Sequence, residues 1–373
     1  MNILEKKIKD LILREGRITF KTFMQMALYE PELGYYSSDK IKIGREGDYY
    51  TSQHLHPAFG AMLGEQLIEI WEFMGKPKTF YSVEPGAGEG YMCNDILNYL
   101  KNKEIYDTLK YIIVEPHPFM KHKQKKLLKS FSDKITWTSS LKELKNIKGC
   151  ILSNELLDAF PVHLVEMEKE LKEVYVTING DNNFIEIKDS LSSNDLKKYM
   201  EDFSISLPYG YRTEINLEVK DWLKEVNNIL IEGFIITIDY GYPAHEYYCE
   251  ERNRGTLLCY YQHQFIENPY LNIGNQDITA HVNFSSLKKY GEEIGIKTIG
   301  FANQGTYLVS LGIDRIISEL YQNSKDYLFE IAKIKRLILP GTIGETHKVI
   351  IQYKGEGNPV LKGFLMKNQI NKL

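Results

Sequence analysis

YSVEPGAGEGY (81–91) ends a run of strand-forming residues on a carboxylate, Glu84, and follows it with glycines at alternate positions, Gly86, Gly88 and Gly90. In an open α/β sheet the first turn from strand to helix is where a nucleotide approaches the backbone. Glycine suits such a turn because it enters backbone angles closed to other residues and leaves no side chain between main chain and ligand. The spacing is not the GxGxxG of dinucleotide sites, since the third glycine comes one residue early and Tyr91 stands where that fingerprint has Gly or Ala. No Gly-Lys-Ser/Thr follows, which removes the triphosphate loop. What remains is acid-x-G-x-G-x-G, whose leading Glu84 would repel a pyrophosphate and attract a cationic amino-acid moiety.

Outward from this loop, short apolar runs alternate with helix-length segments: TFYSV (79–83), YIIV (111–114), KITW (134–137), CILS (150–153) and FIITI (234–238). That rhythm predicts crossovers and a parallel sheet with helices on both faces. IKTIGF (296–301) and HKVIIQY (347–353) are expected to close the sheet as an antiparallel edge. The alternation breaks at 162–187, which reads as antiparallel strands turning at Asn179-Gly180-Asp181, and at 242–283, long, aromatic and irregular. Before the loop, Ile3, Leu4, Ile8, Leu11 and Ile12 share a helical face, Phe59 to Phe73 forms a second helix, and LGYYSSDKIKIGREGDYYTS (33–52) reads as an ordered loop. The expected organisation is an N-terminal helical region (1–78), an α/β core (79–161 and 234–353), an inserted segment (162–233) and a second, pocket-covering insertion within the core (242–283).

The second strand ends in Glu115, where a carboxylate can accept both hydroxyls of an adenosine ribose. Two acids flanking a glycine loop suit S-adenosylmethionine (SAM); a tight turn without ligand and a solvated acid at a strand end are the plainer readings. The fourth strand runs into SNELLDAFP (153–161), carrying Asn154, Glu155 and Asp158 to the same edge. If a helical turn starts there, Glu155 and Asp158 share a face. Paired carboxylates beside a methyl donor fit a guanidinium, which they hold by charge-assisted hydrogen bonds. Asp158 as a helix cap with Glu155 solvated is the alternative. Asp239 ends the fifth strand or serves the turn before Gly241. His281 follows Asp277 by four residues, so an Asp–His contact on one helical turn stands beside a packing role.

Composition limits the partners. Of 373 residues, 43% are apolar and 26% charged, with a formal charge of −4, which speaks against a general nucleic-acid binder. An Asn/Asp-Pro-Pro-aromatic motif, expected of methyltransferases acting on base amino groups, is absent. KHKQKK (121–126) reads as the wet face of a helix. Cys93, Cys150, Cys249 and Cys259 form no CxxC pair, so a reducing compartment and no metal are expected. No run nears the roughly 20 apolar residues of a membrane span, and the N-terminus lacks a targeting pattern, which together predict a cytoplasmic protein.

GDYYTSQHLHPAFGAMLGEQL (47–67), VEPGAGEGYMCNDIL (83–97), SNELLDAFPVH (153–163), IDYGYP (238–243) and DITAHVNFSSL (277–287) together resemble the MidA / complex I assembly factor family of SAM-dependent methyltransferases. The resemblance implies a class I, Rossmann-like core and a protein arginine methyltransferase. Mitochondrial members of the family symmetrically dimethylate an arginine of a respiratory complex I subunit. It places the glycine motif on Gly86, Gly88 and Gly90, and its acidic partner on Glu115. A GDF-TS segment falls on Gly47, Asp48, Tyr49, Thr51 and Ser52, and the NELLDA motif on Asn154, Glu155 and Asp158. Thr51, Ser52 and Asn154 are assigned to the cofactor, Glu155 and Asp158 to gripping the substrate arginine, and His281 or one of the carboxylates to receiving its proton. The chain departs where the family has HVDF, reading His281-Val282-Asn283-Phe284, and where it has GTLRAFRGH, reading Gly255 to His263. Competing functions are a small-molecule methyltransferase and an assembly protein that keeps the fold without turnover.

Overall fold

A computed structural model describes residues 2–38, 56–262, 264–321 and 325–373. Gly47, Asp48, Tyr49, Thr51, Ser52 and His263, with most of the expected 33–52 loop, lie outside them. The chain forms two compact units, one of Met1–Tyr49, Leu157–Asp221 and Tyr242–Ser285, the other of Tyr50–Leu156, Trp222–Gly241 and Ser286–Leu373.

The second unit is built on seven strands: β1 (Phe80–Pro85), β2 (Leu109–Val114), β3 (Ile135–Thr138), β4 (Ile147–Asn154), β5 (Leu230–Tyr242), β6 (Lys297–Asn303) and β7 (His347–Lys354). Their order is β6-β7-β5-β4-β1-β2-β3. The β1–β2, β2–β3, β1–β4 and β4–β5 pairs are parallel, and β7 runs antiparallel between β5 and β6. Strand order reverses between β1 and β4, and in such sheets the crevice at the reversal takes the ligand. The apolar runs explain the layering: Phe234, Ile236, Tyr111, Ile113 and Leu152 are buried in one core with Phe59, Met62, Leu67 and Ile70 of helix α1 (Ala58–Phe73). Helices α2 (Tyr91–Leu100) and α3 (Pro118–Leu127) follow β1 and β2.

The first unit has its own core, in which Leu4, Ile8 and Ile12 of helix Ile3–Glu15 pack with Phe20, Phe23 and Leu28 of helix Phe20–Tyr29. Ile3, counted on that stripe from the sequence, is 72% exposed instead. Strands His163–Met167, Leu171–Ile178 and Phe184–Asp189 are antiparallel, and the last two turn through Asn179–Asn183 as expected. Division by sequence rhythm had joined 1–78, but Ala58–Phe73 belongs with the large sheet because its apolar residues are buried in that core. The 242–283 stretch holds a small antiparallel sheet, Leu258–Tyr261 with Gln264–Ile266 and Asp277–Thr279.

Candidate active site

The glycine loop leaves the carboxyl end of β1 and enters α2. Gly86, Gly88 and Gly90 have φ of 70°, 54° and 94°, all in the left-handed region that favours glycine. The Gly86 amide donates to the Val114 carbonyl (3.4 Å) and the Gly90 amide to the Ala87 carbonyl (2.9 Å), so the turn is hydrogen-bonded to β2 and to itself. A side chain at Gly86 would meet Leu156 Cδ1 at 2.8 Å. The loop is thus a bare-backbone cradle with Gly90 opening the helix.

Beneath it, Glu84 is 1% exposed. Burial pushes its carboxyl up to about 7, while the hydrogen bond donated by Tyr111 Oη to Oε2 (2.6 Å) pulls the other way. At the end of β2, buried Glu115 accepts the His117 amide at Oε1 (2.9 Å) and the Gln124 side-chain amide at Oε2 (3.0 Å). Buried Asn154 closes β4. Its Nδ2 donates to Glu155 Oε1 (3.4 Å), and its Oδ1 has no hydrogen-bond partner among the described residues. An orphaned buried acceptor, a side-chain-free loop and two buried carboxylates fit SAM, whose cationic amino-acid end and ribose hydroxyls supply the matching donors.

Glu155 does not begin a helix. Its φ is 48°, and its amide donates to the Ile238 carbonyl on β5 (2.9 Å), which turns the chain away from β4. The expected helical face shared with Asp158 is therefore absent, and the two residues fall in different units. Asp158 is buried, and its carbonyl accepts the Ala280 amide (3.0 Å). The Asp277–His281 helical turn is absent as well. Asp277 lies in the strand Asp277–Thr279, where Tyr36 Oη reaches both carboxylate oxygens (2.8 and 2.9 Å). His281 is tied through its amide to Thr256 Oγ1 (3.1 Å), with its ring against Tyr242. Asp239 is inside β5, which continues to Tyr242, and is wholly buried. At the HVDF departure, Asn283 Nδ2 donates to Tyr199 Oη (2.7 Å) and Oδ1 accepts the Ser285 amide (3.1 Å), a use of both ends of an amide that explains the residue in the first unit.

Glu84, Gly86, Gly88, Gly90, Glu115, Asn154 and Glu155 all belong to the second unit, at the carboxyl ends of β1, β2 and β4, whereas Asp158 and His281 belong to the first. Two residues escaped the sequence reading. Gln124, in a tract whose lysines predict a wet helix face, is fully buried. His347 opens β7, which is antiparallel to β5, so it too stands at the carboxyl edge of the parallel strands, with Nε2 3.5 Å from Glu155 Oε1 and its ring edge-on to Tyr240. Since HKVIIQY was already expected to be antiparallel, its leading histidine could have been placed there from sequence.

Among the described residues no helix is long and apolar enough to cross a membrane, and no His/Cys/Asp/Glu group could hold a metal. Residues 62–302 match the model of a family described as S-adenosyl-L-methionine-dependent methyltransferases. The mitochondrial protein arginine methyltransferase NDUFAF7 homolog of Drosophila melanogaster is 24% identical, the match covering 94% of this chain and 85% of that one. Its Caenorhabditis elegans counterpart is 27% identical over 87% of this chain and 80% of that one. A crystal structure of a Burkholderia thailandensis protein bound to S-adenosyl-homocysteine (SAH) superposes with a TM-score of 0.91 at 28% identity, covering 99% of this chain and 96% of that one.

Proposed function

Because the chain belongs to the MidA family of SAM-dependent methyltransferases, we propose that it methylates a guanidinium nitrogen of an arginine on a protein partner. The observation that carries the acceptor is Glu155: a non-glycine residue held at φ 48°, beside the end of β4, in the unit that bears the glycine loop. Such a conformation costs about 1–3 kcal/mol and persists where the surroundings enforce it, often at functional sites. The names of the relatives support arginine as the target, and the family resemblance extends the proposal to a subunit of the respiratory complex I type.

In this reading the glycine loop, Glu84, Glu115 and Asn154 hold SAM, which supplies an electrophilic methyl group. Glu155 accepts hydrogen bonds from the guanidinium and aligns one nitrogen, which is most of what an in-line transfer asks of the protein. Arginine, with a pKa above about 12, must lose a proton as it is methylated. Glu155 receives that proton, and His347 Nε2, 3.5 Å away, is the next acceptor. His347 Nδ1 lies 3.1 Å from Thr346 Oγ1, so the tautomer with Nδ1–H leaves Nε2 its lone pair. Asp158 as a second guanidinium-binding carboxylate and His281 as an alternative proton acceptor are readings of the sequence alone, each to be tested by its own replacement. Incubating the protein with methyl-labelled SAM and a cell extract tests the substrate class: label in arginine residues of protein is expected, and label confined to small molecules contradicts it.

A further inference from the structure

Gln124 is a polar side chain with no exposed surface in the middle of α3, flanked by lysines. Its Nε2 donates to the Gly88 carbonyl (2.7 Å) and to Glu115 Oε2 (3.0 Å), while Oε1 accepts the Trp137 indole N–H from β3 (3.0 Å). Two acceptors on one side and a donor on the other admit only one orientation of the amide. One side chain therefore ties the glycine loop, the end of β2 and β3 together. The same helix approaches the loop elsewhere: a Cβ at Gly90 would lie 3.6 Å from Gln124 Cγ and 3.2 Å from Leu128 Cδ1, and Lys123 Nζ reaches Glu89 Oε1 at 3.3 Å.

We propose that Gln124 is a positioning residue of the methyl-donor site, fixing the Glu115 carboxylate relative to the glycine loop so that the two meet the nucleoside together. This rests on the reading of Glu115 as the ribose-binding acid. The Glu115 carboxylate is held from both sides, by the His117 amide on Oε1 and by Gln124 on Oε2. Removing the Gln124 donors takes this hold from Oε2 and leaves the Gly88 carbonyl and the Trp137 N–H without this partner, a costly loss in a buried place. Leucine fills much of the same volume without either function.

The test is calorimetric SAH binding to the full chain, its Gln124→Leu and Glu115→Ala variants and the double variant, with apo thermal stability measured for each. Gln124→Leu is expected to weaken SAH about tenfold, while the same change in the Glu115→Ala background costs less than about twofold, because neighbours acting through one contact are not additive. Trp137→Phe, which keeps Gln124 and Glu115, serves if Gln124→Leu does not fold; a weakening of about threefold is expected from the loosened amide. Unchanged SAH affinity in the single variants, or equal penalties in both backgrounds, overturns the role of Gln124 while wild-type binding stands. A wild type that binds no SAH overturns the cofactor reading itself and this proposal with it.

Discussion

Glu84 is placed to make donor binding depend on pH. Its folded value of about 7 lies above that of an ordinary carboxyl, so the unliganded fold gains from its neutral form below that ordinary value. The gain is lost as pH rises through about 7. A cationic amino group beside it favours the carboxylate and reverses the preference. SAH binding is therefore expected to release a proton and to weaken by up to about tenfold per pH unit below 7, measured by calorimetry in buffers of different ionisation enthalpy. Affinity that stays flat from about pH 5.5 to 8 would remove Glu84 from the donor site. Glu84 and Glu115 were legible in the sequence because each ends or follows a strand of an alternating pattern. Gln124 was not, because four lysines within 121–126 gave the tract the look of a solvated face, and only the packing of α3 on the glycine loop turns that one residue inward.

Among the elements, the seven strands that the second unit contributes to the large sheet were legible, the closing antiparallel pair included, because runs such as FIITI, and VII within HKVIIQY, are short apolar segments rich in β-branched residues. Two helical turns were read that do not form. NELLD has helix-forming composition, but the Glu155 amide is taken by Ile238 on the neighbouring strand, a tertiary hydrogen bond that overrides local propensity. DITAH reads equally as helix or strand, and pairing of Asp277–Thr279 with Leu258–Tyr261 decides for strand. The interior strand β5 is deeply packed, with Phe234, Ile235 and Ile236 all at 0% exposure. Ile236→Ala should destabilise the protein by about 2–5 kcal/mol in denaturant unfolding, the cost of an uncollapsed cavity. A loss below about 1 kcal/mol would mean that the sheet core is loosely packed there.

At the scale of the molecule, the chain passes between two units, and the described residues assigned to the donor, together with Glu155 and His347, are contributed by the one with the large sheet. The sequence located that sheet but not the division. The first unit is assembled from three separated stretches, and contacts between segments so far apart in the chain leave no periodic signal. Asp158 lies three residues after Glu155 and yet in the other unit, so the NELLDA motif spans the boundary. The central claim is that this chain methylates protein arginine with Glu155 as the carboxylate that holds the acceptor. Its most direct test is mass spectrometry of arginine residues in a protein fraction incubated with labelled SAM and either the wild type or Glu155→Gln, with SAH affinity measured on both. The wild type is expected to methylate arginine, and Glu155→Gln to bind SAH within about threefold while losing at least about a hundredfold in transfer. Near-wild-type arginine methylation by Glu155→Gln would contradict the account.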